Sequence, residues 1–469
     1  MPAGLVLLVA ASAVLRSGML GIGYWTDEGI AVGIASHPLS EIPGLLRMDG
    51  SPPLYYVLLH GWMEAFGTSE AATRALSLGL ALAAAPAAFW AGRALYGARG
   101  GWLAAGLAAA LPYLSVYGQE TRMYALMALL SLIATTAFVL AVVRGDRRHL
   151  VTLGAALVAA LYTHNWALFM CAGIGAAWLV LWRTGRASGR DLVLLMGAVA
   201  MLYAPWVPTL VDQARHTGAP WSRTPGIWRL IIMPGAVFGA VGAVLLALLA
   251  VRVRRRLVGV LLLVAGITAV AAWGASQLEP GWAVRYFAVL VGPLVLAATG
   301  VLLHSARWAV ALVAVACVLS PVPAVKSNAR SMAAAIGPVD VALVSAPEQV
   351  PVLSHYLPAG YVTPTGPVAD PLVTDWRDLV DRMRSAPAGA IVARAIAGLA
   401  PGERLAVVTT VVHPPADPTA PLLRASRELG RRMLAQVASD PRLRLVAREW
   451  PAVSLDVRAQ LRASVYVRR

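Results

Sequence analysis

The sequence predicts an all-α polytopic membrane protein of about eleven transmembrane helices, followed by a small C-terminal extracytoplasmic α/β domain. Three observations predict it. Of 469 residues, 59% are hydrophobic and only 13% are charged, whereas a soluble domain carries roughly 25% charged residues. Apolar runs approaching the ~20 residues a helix needs to cross a bilayer recur through the first two thirds of the chain. From about residue 325 the runs stop and charge returns, with 18 basic and 12 acidic residues in 325–469.

The runs lie near 3–22, 71–92, 100–116, 123–143, 149–164, 166–182, 191–210, 228–251, 257–277, 286–303 and 308–324. Residues 52–66 are apolar but short, and read as a helix lying at the interface or dipping into the bundle. The charges between the runs orient them. With the N-terminus cytoplasmic, the loops 93–99, 144–148, 183–190, 252–256 and 304–307 hold 13 of the 21 basic residues before position 325. Only Asp146 and Asp191 are acidic on that side, while the other nine acids, from Asp27 to Glu279, fall on the opposite one. Retention of positive charge on the cytoplasmic side fixes this orientation. It puts the C-terminal region outside, in a multi-pass protein of the plasma membrane.

In that region "VDVALVSA" (339–346) and "RLAVVTTVV" (404–412) read as buried strands. "TAPLLRASRELGRRMLAQVAS" (419–439) has helical apolar spacing and "RLRLVAREW" (442–450) alternates like a strand. Strand, helix and strand in turn give a small α/β unit. It carries no Gly-rich phosphate loop, metal cluster or nucleophile elbow, so a supporting or acceptor-docking role is expected. The net charge of +16 does not indicate nucleic acid, because the arginines are scattered between apolar runs. Cys171 and Cys317 sit inside apolar runs and read as small buried hydrophobes. The first run lacks a basic start and a small-residue cleavage site, and reads as a retained anchor.

Five stretches on the outer side carry candidate chemistry. "GIGYWTDEGIAVG" (21–33) places Asp27 and Glu28 where the first run ends, opening a loop of about fifty residues that its apolar content predicts to be ordered. Solvated loop acids are the plain alternative, but a half-desolvated carboxylate at the membrane rim is suited to accepting a proton. "DGSPPLYYVLLHGWMEAFGTSEAATRALS" (49–77) starts a helix at Pro52 and Pro53. Its Tyr55, Tyr56 and His60 are expected at the acceptor or lipid rim, among aromatics of the interfacial kind. In "YGQETRMYA" (117–125), Glu120 and Arg122 form either a helix-capping ion pair or an acid for sugar or metal beside an arginine for phosphate. "LYTHNWALF" (161–169) puts His164 and Asn165 at another outer turn, as capping groups or as sugar-positioning ones. "LEPGWAVRYFAVLVGP" (278–293) places Arg285, with Tyr286, at the mouth of a span, where a charge either snorkels or works.

"TDE", "GSPPLYYVLLHGWMEAFGTSEAATRALS", "QETRMYAL" and "RYFAVLVGPL" resemble the glycosyltransferase C superfamily over roughly residues 1–320. The similarity is to its family 39-like branch of actinobacterial type, the group of protein mannosyltransferases and lipid A aminoarabinose transferases. The resemblance implies the glycosyltransferase C fold. It implies a polyprenyl-phosphate-linked sugar donor, mannose or arabinose among the sugars, and inverting transfer at the outer face to a glycan, lipid or protein hydroxyl. It makes Asp27 the general base, Glu28 its adjacent acid, Glu120 and Arg122 the second-loop motif, and Arg285 with Tyr286 the late-span motif. Arg122 and Arg285 are then expected on the donor phosphate, since Lys326 is the only lysine and lies outside the membrane half. Glu28, Glu120 and His164 are expected to position the sugar, and Glu28 and Glu120 are the residues for a divalent cation, Mg2+ or Mn2+. The alternative is a transporter or flippase of lipid-linked sugars, which would place polar groups near the midplane and show internal repeats.

Overall fold

The computed structural model describes residues 2–253, 255–322, 326–411, 420–449 and 460–469. Arg254, the expected domain boundary at 324/325, and the outer ends of three expected tail elements at Val412, Thr419 and Trp450 lie outside them. The chain is a helical bundle capped at one end by a mixed sheet.

α1 (Ala3–Leu15) is shorter than its apolar run. It stops at Arg16, which is buried and donates to the carbonyls of Ala108 (2.9 Å) and Leu111 (3.3 Å). Those carbonyls end α5 (Glu70–Ala110), so a cation satisfies the open acceptors of a helix C-terminus. The loop after the first run is ordered, as expected, and holds three helices: α2 (Thr26–Ala35), α3 (Ile42–Asp49) and α4 (Leu54–Phe66). α5 folds back on itself at Gly97, whose φ of 82° is in the left-handed region. Its two limbs, the second followed by α6 (Pro112–Tyr117), are the expected spans at 71–92 and 100–116.

α7 (Tyr124–Phe138) continues as one turn of π-helix to Val143. There follow α8 (His149–Leu161), α9 (Ala167–Arg183), α10 (Gly189–Tyr203) and α11 (Val207–His216). The run at 228–251 is not one straight helix: α12 (Trp228–Phe238) and α13 (Ala240–Ala250) meet at 106° across Gly239, φ 75°. α14 (Arg256–Leu278), α15 (Ala288–Leu302) and α16 (Arg307–Val318) complete the bundle. Among the described residues five helices are long and apolar enough to cross a membrane, or six with the bent pair as one; Ala3–Leu15, His149–Leu161, Ala167–Arg183 and Arg307–Val318 are apolar and shorter. The chain is a multi-pass membrane protein.

The 20 residues from Tyr124 to Val143 span about 30 Å, which separates the two ends of the bundle. At the Val143 end the basic loops meet one another. Arg144 donates to the Ala94 and Leu95 carbonyls, Arg147 lies 2.5 Å from Asp191, and Arg255 Nε lies 2.8 Å from His304 Nε2.

The other end carries the tail. α17 (Ala329–Ile336) leads into β1 (Val341–Val344), α18 (Val350–Ser354), β2 (Gly360–Thr363) and β3 (Gly366–Pro367). α19 (Leu379–Ser385), α20 (Ala388–Ala397), β4 (Arg404–Val411), α21 (Pro421–Ser439), β5 (Leu443–Glu449) and β6 (Gln460–Arg468) follow. The sheet order is β3-β2-β1-β4-β6-β5, with β1 parallel to β2 and β4, and β6 antiparallel to β4 and β5. Alternation along β4 sends Leu405 and Val407 to a core with α19–α21, and Ala406 and Val408 to the core continuous with the bundle. The tail is therefore packed onto the bundle. Gly29 and Gly33 on one face of α2 make this possible: a Cβ there would come within 2.6 Å of Val352 and 2.0 Å of the Leu372 carbonyl.

Candidate active site

The site is built around α2. Glu28, its third residue, accepts from the backbone N–H of Trp25 at 3.3 Å, the reach-back that closes a helix start. Arg74 of α5 forks onto the same carboxylate, Nε to Oε1 at 2.7 Å and Nη2 to Oε2 at 2.6 Å, and the Thr121 N–H adds a bond at 2.8 Å. Arg74 also donates to the carbonyls of Leu20 (2.9 Å), Gly23 (3.2 Å) and Ile22. One buried arginine thus ties the turn after α1 and the start of α2 to α5, and so fixes where Asp27 stands. Leaving one partner of such a buried pair uncompensated costs about 3–5 kcal/mol.

Asp27 itself is partly open, its side chain 19% exposed, and its Oδ2 lies 3.7 Å from Arg285 Nε. Arg122 Nη1 donates to the Asp27 carbonyl (3.2 Å) and to Tyr56 Oη (3.1 Å), and Tyr56 Oη donates to Asp49 Oδ2 at 3.2 Å. Desolvation raises the Asp49 carboxyl above the usual carboxylate range, against the opposing pull of Arg122. Arg285 comes from the 3-10 turn Val284–Phe287 that opens α15. Its guanidinium carbon lies 4.2 Å from the centre of the Trp221 ring, 5.3 Å from Tyr286 and 5.9 Å from Trp25. Such faces hold a guanidinium with about 0.5–2 kcal/mol each.

Glu120 is buried and meets the ammonium of Lys326. That ammonium is 5.8 Å from the Trp25 ring and 5.9 Å from Tyr117. The chain's single lysine therefore reaches the site from the junction before the tail, where it faces Glu120.

Beside these groups is a cavity of about 360 Å3, whose polar lining includes Arg122, His164, Asn165, Gln213, Glu279 and Tyr286 and whose apolar lining includes Phe169 and Leu210. Among the described residues Arg122 Nε, Arg285 Nε, Tyr124 Oη, Trp25 Nε1 and Asn165 Oδ1 are buried without a hydrogen-bond partner. Buried polar atoms are as a rule paired. Arg122 and Asn165 line the cavity, and the free donors of Arg122, Arg285, Tyr124 and Trp25 leave capacity there for a ligand's oxygen atoms.

The structure brings Asp27, Tyr56, Glu120, Arg122, His164, Arg285 and Tyr286 together. Other expectations need correcting. Glu28 is committed to Arg74 and two backbone donors, so it holds α2 in place. Tyr55 and Tyr56 are fully buried, and not at a lipid rim. Tyr55 Oη bonds Ser77 Oγ at 2.8 Å, which in turn donates to the Arg122 carbonyl. His60 is engaged elsewhere, with Nδ1 2.9 Å from the Ala35 carbonyl and Nε2 3.5 Å from Glu64. His164 lines the cavity, its Nδ1 accepting from the Trp166 N–H at 3.0 Å.

The divalent cation does not fit these residues. Its two expected ligands face cations of the protein, Glu28 facing Arg74 and Glu120 facing Lys326. No group of three or more His, Cys, Asp or Glu able to hold a metal occurs among the described residues. Sequence reasoning missed Arg74, Lys326, Asp49 and Trp221. Arg74 did carry a signal, as a charge just inside an apolar run.

No protein-family model and no curated protein matches the chain. Solved structures do. ArnT from Cupriavidus metallidurans in the apo state superposes with a TM-score of 0.61 at 16% identity, covering 98% of this chain and 97% of that one. The same protein bound to undecaprenyl phosphate gives a TM-score of 0.61 at 16% identity, covering 99% and 98%. The arabinofuranosyltransferase AftD from Mycobacteria gives 0.46 at 15% identity, covering 100% of this chain and 40% of that one. The likeness to ArnT runs through the bundle and the tail together, and the chain has the glycosyltransferase C fold.

Proposed function

We propose that the protein is a membrane glycosyltransferase that moves a sugar, with inversion, from a polyprenyl phosphate to a hydroxyl acceptor of the cell envelope at the outer face. The observation that carries this reading is the convergence of Arg122 and Arg285 on Asp27 beside a half-apolar cavity. A lipid-linked sugar phosphate needs cations for its phosphate, an apolar wall for its prenyl chain and a base for the acceptor hydroxyl. The likeness to an ArnT structure that binds undecaprenyl phosphate supports the donor class. Mannose and arabinose are the sugars proposed, and a glycan, lipid or protein hydroxyl the acceptor. The charge asymmetry of the loops supports an N-terminus in the cytoplasm and a tail outside.

In this mechanism Asp27 takes the proton from the acceptor hydroxyl as its oxygen attacks the anomeric carbon. The bond from that carbon to the phosphate oxygen breaks on the opposite face, and polyprenyl phosphate leaves. Arg122 and Arg285 take up the charge that develops on the leaving phosphate. Both guanidiniums are pre-positioned, Arg122 by Tyr56 and the Asp27 carbonyl, Arg285 by its aromatic walls, so little reorganisation accompanies the step. Tyr286 and His164 border the sugar's place. No step uses a metal.

The test is transfer by the purified chain in lipid nanodiscs, with polyprenyl-phosphate mannose and arabinose donors and cell-envelope acceptors. Glycosylated acceptor is the expected product. Translocation of the donor in sealed vesicles without transfer would instead establish a flippase and overturn the reading.

A further inference from the structure

Two amide side chains at the cavity are held by one end only. Asn165, in the turn between α8 and α9, donates through Nδ2 to the Gly50 carbonyl at 3.0 Å. Gln213 of α11 donates through Nε2 to the carbonyls of Leu46 at 2.9 Å and Ser51 at 3.3 Å. A backbone carbonyl can pair only with the nitrogen end of an amide, so these bonds fix which end of each side chain is oxygen. The two oxygens, Asn165 Oδ1 and Gln213 Oε1, are buried without a hydrogen-bond partner among the described residues. Both residues line the cavity of about 360 Å3. They also hold the segment 46–51 from two sides, and the Leu54 N–H ties the next residues to the Tyr162 carbonyl at 2.8 Å. The amides are therefore set in place before any ligand arrives.

Their neighbours are of matching kinds. His164 Nδ1 accepts from the Trp166 N–H at 3.0 Å, so in the neutral ring the proton sits on Nε2, as a donor. The rings of Trp166 and Tyr286, 5.2 Å apart, add flat faces to the lining. A mostly apolar wall with a few fixed polar groups orients a small ligand. The ligand's chemistry is narrow, because an amide oxygen is paired only by an O–H or N–H. A prenyl chain has no donor, and an ionised phosphate only accepts. Sugar hydroxyls donate, and the same hydroxyl can accept from an imidazole N–H. Arg122 lines the same cavity, so a phosphate held there would bring its sugar beside the two amides. Glu279 also lines the cavity but is exposed, so water competes with any ligand hydroxyl for it.

We propose that Asn165 Oδ1 and Gln213 Oε1 are specificity determinants that accept hydrogen bonds from hydroxyl groups of the donor sugar. The inference rests on the glycosyltransferase reading above and adds to it how the sugar is told apart: a donor lacking those hydroxyls leaves buried oxygens unpaired and is rejected. The test is binding by the full chain in nanodiscs, with polyprenyl phosphate, polyprenyl-phosphate mannose, polyprenyl-phosphate arabinose and monodeoxy analogues of the sugar bound more tightly. Gln213→Met and Asn165→Leu are each expected to weaken the sugar-linked lipid by roughly tenfold and to leave bare polyprenyl phosphate within about twofold of wild type. Arg285→Ala is expected to weaken both lipids. At least one deoxy position is expected to cost the wild type roughly tenfold and a variant little, the sign that the amide and that hydroxyl are partners. A general defect in folding weakens both lipids alike, and so leaves their ratio unmoved. An unmoved ratio in both variants, with unaltered deoxy penalties, overturns this inference while sugar transfer by the wild type upholds the reading beneath it. Binding of none of these lipids by the wild type overturns that reading, and this inference with it.

Discussion

Arg285 Nε stands 3.7 Å from Asp27 Oδ2, although one residue follows the first helix and the other opens the fifteenth. The contact is too long for a hydrogen bond and short enough for a charge pair. It leaves Asp27 partly open, and it leaves Arg285 Nε without a hydrogen-bond partner among the described residues.

Arg285→Ala should therefore weaken donor binding by roughly 10- to 100-fold, the loss of one charge-assisted contact. Arg285→Lys should recover little of it, because a compact ammonium cannot stack on Trp221 or fork onto two oxygens. Binding of a fluorescent polyprenyl phosphate in nanodiscs measures both. Wild-type affinity in Arg285→Ala would remove the residue from the phosphate site.

Glu120 and Lys326 form a buried pair between the turn before α7 and the junction before the tail. Lys326→Met alone should lower stability by about 3 kcal/mol or more, because it strands a buried carboxylate. Lys326→Met/Glu120→Gln should recover most of that loss, since neither charge then remains. Thermal unfolding of the three proteins decides. No recovery in the double variant would mean that Lys326 acts on something other than Glu120.

Much of this was legible because charge is rare in an apolar sequence. Asp27, Arg122 and Arg285 stood out by their place at the ends of runs, and they converge. The roles of Glu28 and Glu120 were not legible, because a carboxylate's role depends on its partner. Arg74 and Lys326 lie on other elements, and no local pattern links them to these acids. β4 and β5 read clearly as strands from their apolar patterns. β6 was missed although Leu461, Ala463 and Val465 alternate with Arg462 and Ser464 as the two faces of a strand do; it pairs with both β4 and β5. The 106° bend at Gly239 was hidden because both halves are equally apolar.

Burial raises the Glu348 carboxyl in the tail from 4.5 to about 7. The folded protein then holds a proton that the unfolded chain has released. The stabilisation is fully present below pH 4.5 and is lost as pH rises through 7, on the order of 3 kcal/mol in all. Unfolding temperature should fall from pH 5 to pH 8 in the wild type, and this component should vanish in Glu348→Gln. An equal fall in both proteins would assign it to other groups.

Glu28 and Glu120 are occupied by Arg74 and Lys326, and the proposed mechanism needs no cation. Transfer should then be unchanged by EDTA and by later addition of Mg2+ or Mn2+. A loss of turnover on chelation, restored by either ion, would show that the acids change partners when substrate binds.

The central claim is that Asp27 removes the acceptor proton while Arg122 and Arg285 hold the donor. Turnover and donor affinity of Asp27→Asn, measured side by side in the same nanodiscs, test it most directly. The account predicts transfer reduced by at least about 10²-fold, the scale of lost general-base catalysis, with donor affinity close to wild type. Near-wild-type turnover would contradict it.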